Sequence, residues 1–148
     1  MDISRRTLCQ AFPWMIGALA GAPMALGAAD QPIQSFATPF DQLPVHANGP
    51  NVSRPIVTGL THAGCPLEVH ETTLAPGSQP HPPHHHVHEE MFLISRGMID
   101  ATINGKTTRL GPGSAGYVHS GEVHGVHNPG PEPAQYFVVA IGAQTTGA

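Results

Sequence analysis

The sequence predicts an all-β chain, a sandwich or barrel of short strands. Three observations carry this reading. From Val52 onward, short runs of β-favouring residues are broken again and again by glycine and proline, of which the 148 residues hold 17 and 16. Past the apolar N-terminal stretch, no segment repeats apolar residues at helical spacing. Asn104-Gly105 reads as the tip of a two-residue hairpin, because both residues tolerate positive φ. The length fits one domain.

The N-terminus stands outside that domain. Ser4-Arg5-Arg6-Thr7-Leu8 resembles a twin-arginine export signal, and an uncharged stretch from Ala11 to Ala29 follows it. The stretch ends in Gly27-Ala28-Ala29, small residues of the kind a signal peptidase reads, so cleavage is expected after Ala29. Pro13 and Pro23 argue against a permanent membrane helix. Residues 1–29 are therefore read as a leader and 30–51 as an extended arm, with Phe36, Phe40 and Val45 available to pin it. The remaining residues, 52–148, form the β domain.

Within it the pattern predicts strands at Ile56–Leu60, Leu67–Leu74, His84–His86, Glu90–Ser95, Met98–Ile103, Lys106–Leu110, Ala115–Val118, Val123–His127 and Gln135–Ile141. Met91 to Ile94 and Tyr136 to Val139 are apolar without alternation, so the outer face of these strands is expected to be covered, by the arm or by a second subunit.

Charge excludes one class of partner. The chain has ten acidic and six basic residues; losing Asp2, Arg5 and Arg6 with the leader leaves nine against four. No basic patch remains for nucleic acid. Cys9 also leaves with the leader, so Cys65 is expected to have no cysteine partner in the mature chain.

Five of the eleven histidines fall in one run, His81-Pro-Pro-His84-His85-His86-Val-His88-Glu89-Glu90. His84 and His86 stand two apart, so in extended backbone they project from one face. Glu90 follows closely enough for a bend to return its carboxylate to them. His124 adds a fourth donor. Three neutral imidazoles and a carboxylate suit a divalent first-row transition metal.

These residues carry a resemblance to the cupin superfamily. Gly77, His84, His86, Glu90 and Gly97 follow its first motif, with one extra residue after Gly77. Gly113, Gly121, His124 and Asn128 follow its second motif, in which His119 stands where the family has proline. The resemblance spans roughly residues 52–141. It implies a single-domain RmlC-like barrel, a jelly roll or double-stranded β-helix, with His84, His86, Glu90 and His124 as metal ligands and positions left open to water. It also implies a homodimer, since cupins often pair.

An open site lets a metal bind and polarise a substrate or dioxygen. The expected function is that of an exported mononuclear metalloenzyme of oxidoreductase or dioxygenase type, acting on a small organic molecule in the periplasm or outside the cell. Two alternatives stand beside it: a non-redox isomerase or decarboxylase of a small carboxylate, and a binding protein without turnover. Twin-arginine export carries folded proteins, so a metal loaded in the cytoplasm is expected. This favours Fe(II) or Mn(II), with Zn, Ni or Cu as alternatives.

Glu90 is also a candidate base. His119 is read first as a turn residue and second as a proton shuttle. His85 and His88 are expected to face solvent or to hydrogen-bond around the ligands, and His81 is read as a loop residue. Phe92 and Ile94, then Tyr117 and Tyr136, are expected to line a small, largely apolar cavity. No lysine or arginine stands beside the ligands, which disfavours a highly anionic substrate, although Arg96 and Arg109 remain available for a rim.

Replacing Arg5 and Arg6 by lysine should strongly reduce export, and N-terminal sequencing of exported protein should begin near Asp30. Retention of full-length protein in the membrane would contradict the leader reading.

Overall fold

The computed structural model describes residues 32–142. The leader and its cleavage point lie outside them. One 3-10 turn, Phe40–Gln42, precedes nine strands. These are β1 (His46–Asn48), β2 (Asn51–Leu60), β3 (Pro66–Leu74), β4 (Glu89–Arg96), β5 (Ile99–Ile103), β6 (Lys106–Leu110), β7 (Ala115–Val118), β8 (His124–His127) and β9 (Ala134–Ile141).

The strands form two antiparallel sheets, ordered β1-β2-β3-β9-β4-β7 and β6-β5-β8. The expected barrel is thus a pair of sheets facing each other and not closed by hydrogen bonds. The core between them draws Leu74, Phe92, Ile94, Val118, Tyr136 and Val138 from the larger sheet and Ile99, Ala101 and Val126 from the smaller. Alternation sets which residues enter. Along β4, Phe92 and Ile94 are buried while Met91 and Leu93 are exposed, as period-two backbone requires.

The outward residues make a row. Tyr117 stands opposite Met91, Met91 opposite Val139, Val139 opposite Val69 and Val69 opposite Val57. This line of side chains crosses five strands on the outer face, and Tyr117 and Met91 are exposed. The arm runs along β2. The Ile33 N–H donates to Leu60 O at 2.8 Å, the Phe40 ring lies 4.8 Å from the Arg54 guanidinium, and His46–Asn48 pair with Asn51–Ser53. Phe36, Phe40 and Val45 are all exposed, so the expected apolar pins are replaced by backbone pairing and one cation–π contact. In the full chain Cys65 is disulfide-bonded; the expectation of no cysteine partner concerns the chain after cleavage. The only other cysteine, Cys9, lies outside the described residues.

The expected strand at His84–His86 is a single bridge, His84 with His124. Pro82 and Pro83 just before it have no N–H to give to a ladder. Asn104 and Gly105 both have positive φ, 47° and 78°, and close the β5–β6 hairpin as expected.

Two motif residues act on the backbone. Gly97 has φ 71°, and a Cβ there would meet Ala134 Cα and Pro133 O at 2.8 Å. The Asn128 side chain is fully buried; its amide donates to Leu74 O, Ala75 O and Glu132 O, and its oxygen accepts from the Gly130 N–H.

Gly97→Ala combines a left-handed backbone with a main-chain clash and should destabilise by at least ~2 kcal/mol. Asn128→Ala strands several buried polar groups and should cost about 3 kcal/mol. Urea unfolding of each variant measures both; a loss under half these values would show that the turns relax freely.

Candidate metal centre

Backbone contacts decide where the imidazoles go. The turn after β3 is gripped from two sides. The Asn51 oxygen accepts from the Ala75 N–H and the Ser78 hydroxyl, while its amide donates to Gln79 O. From the other side, the Asn128 amide holds Ala75 O and the Asn128 N–H donates to Ser78 O. The chain then passes through Pro82-Pro83 and meets the segment leading into β8. The His84 N–H donates to His124 O at 3.0 Å, the His124 N–H donates to His84 O at 2.8 Å, and the Gly121 N–H donates to His86 O at 2.8 Å. Directly opposed residues of an antiparallel pair point to the same side. His84 and His124 therefore meet, and His86 joins them from two residues on. Glu90 arrives separately on β4, inward with Phe92 and Ile94.

The rings are arranged for coordination. His84, His86 and His124 offer nitrogen atoms that all lie within 4.8 Å of one another. Two imidazoles on one ion, at ~2.1 Å each, stand at most about 4.2 Å apart, so only slight closure is needed. The ring planes are steeply inclined, 68° for His84–His86, 71° for His86–His124 and 46° for His84–His124. A metal lies in the plane of each ring it binds, and planes inclined in this way are compatible with one shared ion. The tautomers are set by backbone carbonyls. The His86 Nδ1–H donates to His88 O at 2.8 Å and the His124 Nδ1–H to Glu122 O at 3.0 Å, which makes Nε2 the lone-pair nitrogen of each neutral ring. Glu90 Oε2 stands 3.2 Å from His86 Nε2, and Oε1 stands 3.8 Å from His124 Nε2.

Three buried ring nitrogens, His84 Nδ1, His88 Nδ1 and His124 Nε2, have no hydrogen-bond partner among the described residues. An unpartnered buried polar atom is costly, and an ion is the partner that bare lone pairs and a carboxylate fit best. Burial, then the neighbouring imidazoles, lowers the His84 pKa from 6.5 to about 4, which keeps its lone pair free at neutral pH.

His88 presents a different case. It forms a second compact group with His86 and Glu90. Its ring, however, is stacked on His86 at 3.5 Å and 11°. Near-parallel planes do not converge on one ion, so His88 is better suited to pack against the ligand than to share its metal.

The remaining candidates are dispersed. His85 is exposed. His119 is exposed in the β7–β8 turn, its ring bonded to Ser120 O and its N–H donating to Glu122. Tyr117 faces outward and pairs with Glu89, and Phe92 and Ile94 fill the core instead of lining a cavity. Tyr136 does line one: a space of about 250 Å³ beside Glu90. Its other walls include Asn48, Ser53, Thr72 and His81, so it is more polar than the expected apolar cavity. Neither Arg96 nor Arg109 borders it; Arg109 is paired with Asp100 at 2.8 Å. A larger cavity of about 430 Å³, between the β6 and β7 edges, contains none of the ligand candidates. His81, read from sequence as an ordinary loop residue, sets its ring edge-on against His84 at 4.1 Å. Only its closeness in sequence to His84 could have signalled this.

Two facing antiparallel sheets with a histidine-rich centre between them define the class: the chain has the cupin fold. The model of the cupin domain matches residues 70–140. Solved structures agree in fold. An RmlC-like cupin from Shewanella frigidimarina superposes with a TM-score of 0.63 at 16% identity, over 75% of this chain and 94% of that one. A predicted oxalate decarboxylase from Thermotoga maritima gives 0.61 at 19%, over 73% and 100%. The polyketide cyclase RemF from Streptomyces resistomycificus gives 0.59 at 19%, over 73% and 80%. Comparison with curated proteins gives no match.

His86→Ala and His124→Ala should keep their β circular dichroism and lose most of their metal, whereas His88→Ala should retain it. Elemental analysis alongside the spectra decides; full occupancy in the first two would place the metal elsewhere. The metal-free protein should also lose stability as pH falls from 6.5 toward 4, because across that window the unfolded chain takes up a proton that folded His84 refuses. Thermal melting against pH follows this, and a flat profile would contradict the burial of His84.

Proposed function

We propose that this chain is an exported cupin holding one divalent metal through His84, His86, His124 and Glu90. We further propose that it is a mononuclear enzyme of oxidoreductase or dioxygenase type acting on a small organic molecule. The observation that carries the reading is the set of three inclined imidazoles, two of them with an unpartnered buried nitrogen, gathered around one carboxylate that borders a cavity. A bound metal of this kind supplies Lewis acidity or electron transfer. The chain's own residues do the rest. Backbone carbonyls hold the tautomers of His86 and His124, the wall of β9 limits substrate size, and Glu90 is the carboxylate placed to accept a proton. Fe(II) or Mn(II) is the favoured ion, with Zn, Ni or Cu as alternatives.

The non-redox reading takes support from the names of two structural neighbours, a predicted oxalate decarboxylase and a polyketide cyclase. Against a small dicarboxylate stands the cavity wall, in which no lysine or arginine takes part. The third reading, a binding protein without turnover, shares the same ligands. The apolar row from Tyr117 to Val57 supports a homodimer through the outer sheet face.

Protein loaded anaerobically with Fe(II) should consume dioxygen when given small phenols or hydroxy acids, and Glu90→Gln should abolish this. An oxygen electrode measures it. Product formation without oxygen uptake would favour the non-redox enzyme, and tight ligand binding without product would favour the binding protein.

A further inference from the structure

The cavity beside Glu90 has room for about eight water molecules, hence for a ligand of a similar number of non-hydrogen atoms. Its charge is one-sided. Glu90 is the only acid on the wall, and no fixed cation faces it. The described residues contain four lysines and arginines, and each is accounted for elsewhere. Arg54 gives its guanidinium to buried Glu71 at 2.9 Å, Arg109 is paired with Asp100, Arg96 is exposed, and Lys106 borders the other cavity. A dianion could direct one charge at a metal, but its second would lose hydration against an uncharged wall.

Among the hydrogen-bonding groups on that wall, which also include Ser53, His70 and Thr72, two pairs differ in what they can offer a ligand. Asn48 and Asn51 are occupied, the first by Pro80 O and the second by the turn it grips. Tyr136 and His81 retain capacity. The Tyr136 ring is almost wholly buried, and burial raises its phenol well above the ordinary tyrosine value, so the proton stays on. The Thr72 hydroxyl is the phenol's hydrogen-bonding neighbour, and both residues line the cavity. The His81 Nδ1 is engaged with Pro82 O, and its Nε2 is the ring's other polar atom. Tyr136 and His81 thus offer partners for oxygen atoms and no compensating charge.

We propose that this cavity selects an uncharged molecule of about eight non-hydrogen atoms bearing hydroxyl groups, held by the Tyr136 phenol and the His81 imidazole beside the metal ligands. The inference rests on the metal reading above and narrows its substrate class.

The test uses the full chain loaded with Zn(II), which avoids oxidation of the probe, at pH 8, where histidine is neutral. Elemental analysis fixes the metal content before and after each titration. Calorimetry then compares catechol, uncharged at that pH, with malonate, a dianion of similar size. Catechol should bind at least tenfold more tightly, and Tyr136→Phe should weaken catechol at least fivefold with metal content and malonate affinity unchanged. Equal or tighter malonate binding overturns the proposal, as does an unaltered catechol affinity in Tyr136→Phe. If circular dichroism shows Tyr136→Phe misfolded, His81→Ala in the exposed loop takes its place, with at least a threefold loss expected and no loss overturning the claim. A protein that takes up no metal refutes the metal reading alone. The same titration on metal-free protein then still tests the cavity, and catechol must bind there in a Tyr136-dependent way.

Discussion

A pair of main-chain hydrogen bonds, exchanged between His84 and His124, holds the candidate site together. The two residues come from segments forty positions apart. One segment is irregular and follows two prolines; the other begins β8. Without the exchange nothing in the local backbone would bring the imidazoles into one small space. With it, same-side geometry follows from antiparallel pairing alone, and His86 is carried along two residues later. The grip of Asn51 and Asn128 on the preceding turn supports the same arrangement from below.

The arrangement carries a cost that a purely structural centre would avoid. Among the described residues three buried ring nitrogens lack hydrogen-bond partners, one imidazole stacks on another, and a carboxylate sits among them. A sheet core gains nothing from such groups. Places where a chain departs from consistent, satisfied packing are commonly the places where it functions. Elsewhere the protein is conventional. Buried Glu71 is satisfied at both oxygens by Arg54 and Thr73, and buried Asn128 is saturated.

Much of this was legible in the residues. Glycine and proline punctuation gave the strand spacing, and Asn104-Gly105 gave the hairpin register. The spacing of His84, His86, Glu90 and His124 picked out side chains that the structure gathers. Other features left no trace in pattern. β1 is three exposed residues without alternation, so its pairing with β2 comes from tertiary context. His84–His86 has the parity of a strand, but Pro82 and Pro83 lack the N–H donors a ladder needs, so one bridge forms there. The polar cavity wall was missed because Ser53, Thr72 and His81 come from three segments whose proximity depends on the sheet order. The stacking of His88 on His86 depends on a bend between them that spacing does not encode.

The sheet order also has a consequence in time. β3 pairs along its length with β9, Leu67 opposite Ile141 and Leu74 opposite Ala134, so the central seam of the larger sheet joins stretches of chain at opposite ends of the domain. Closing such loops before their contacts can reward them makes all-β folding slow, on the order of milliseconds to seconds. During that interval β4, with its unbroken Met91-Phe92-Leu93-Ile94, lacks its β9 neighbour. A strand with four consecutive large apolar residues therefore waits for the last part of the chain to arrive, and this wait is the period in which a newly made molecule is most exposed to pairing with another.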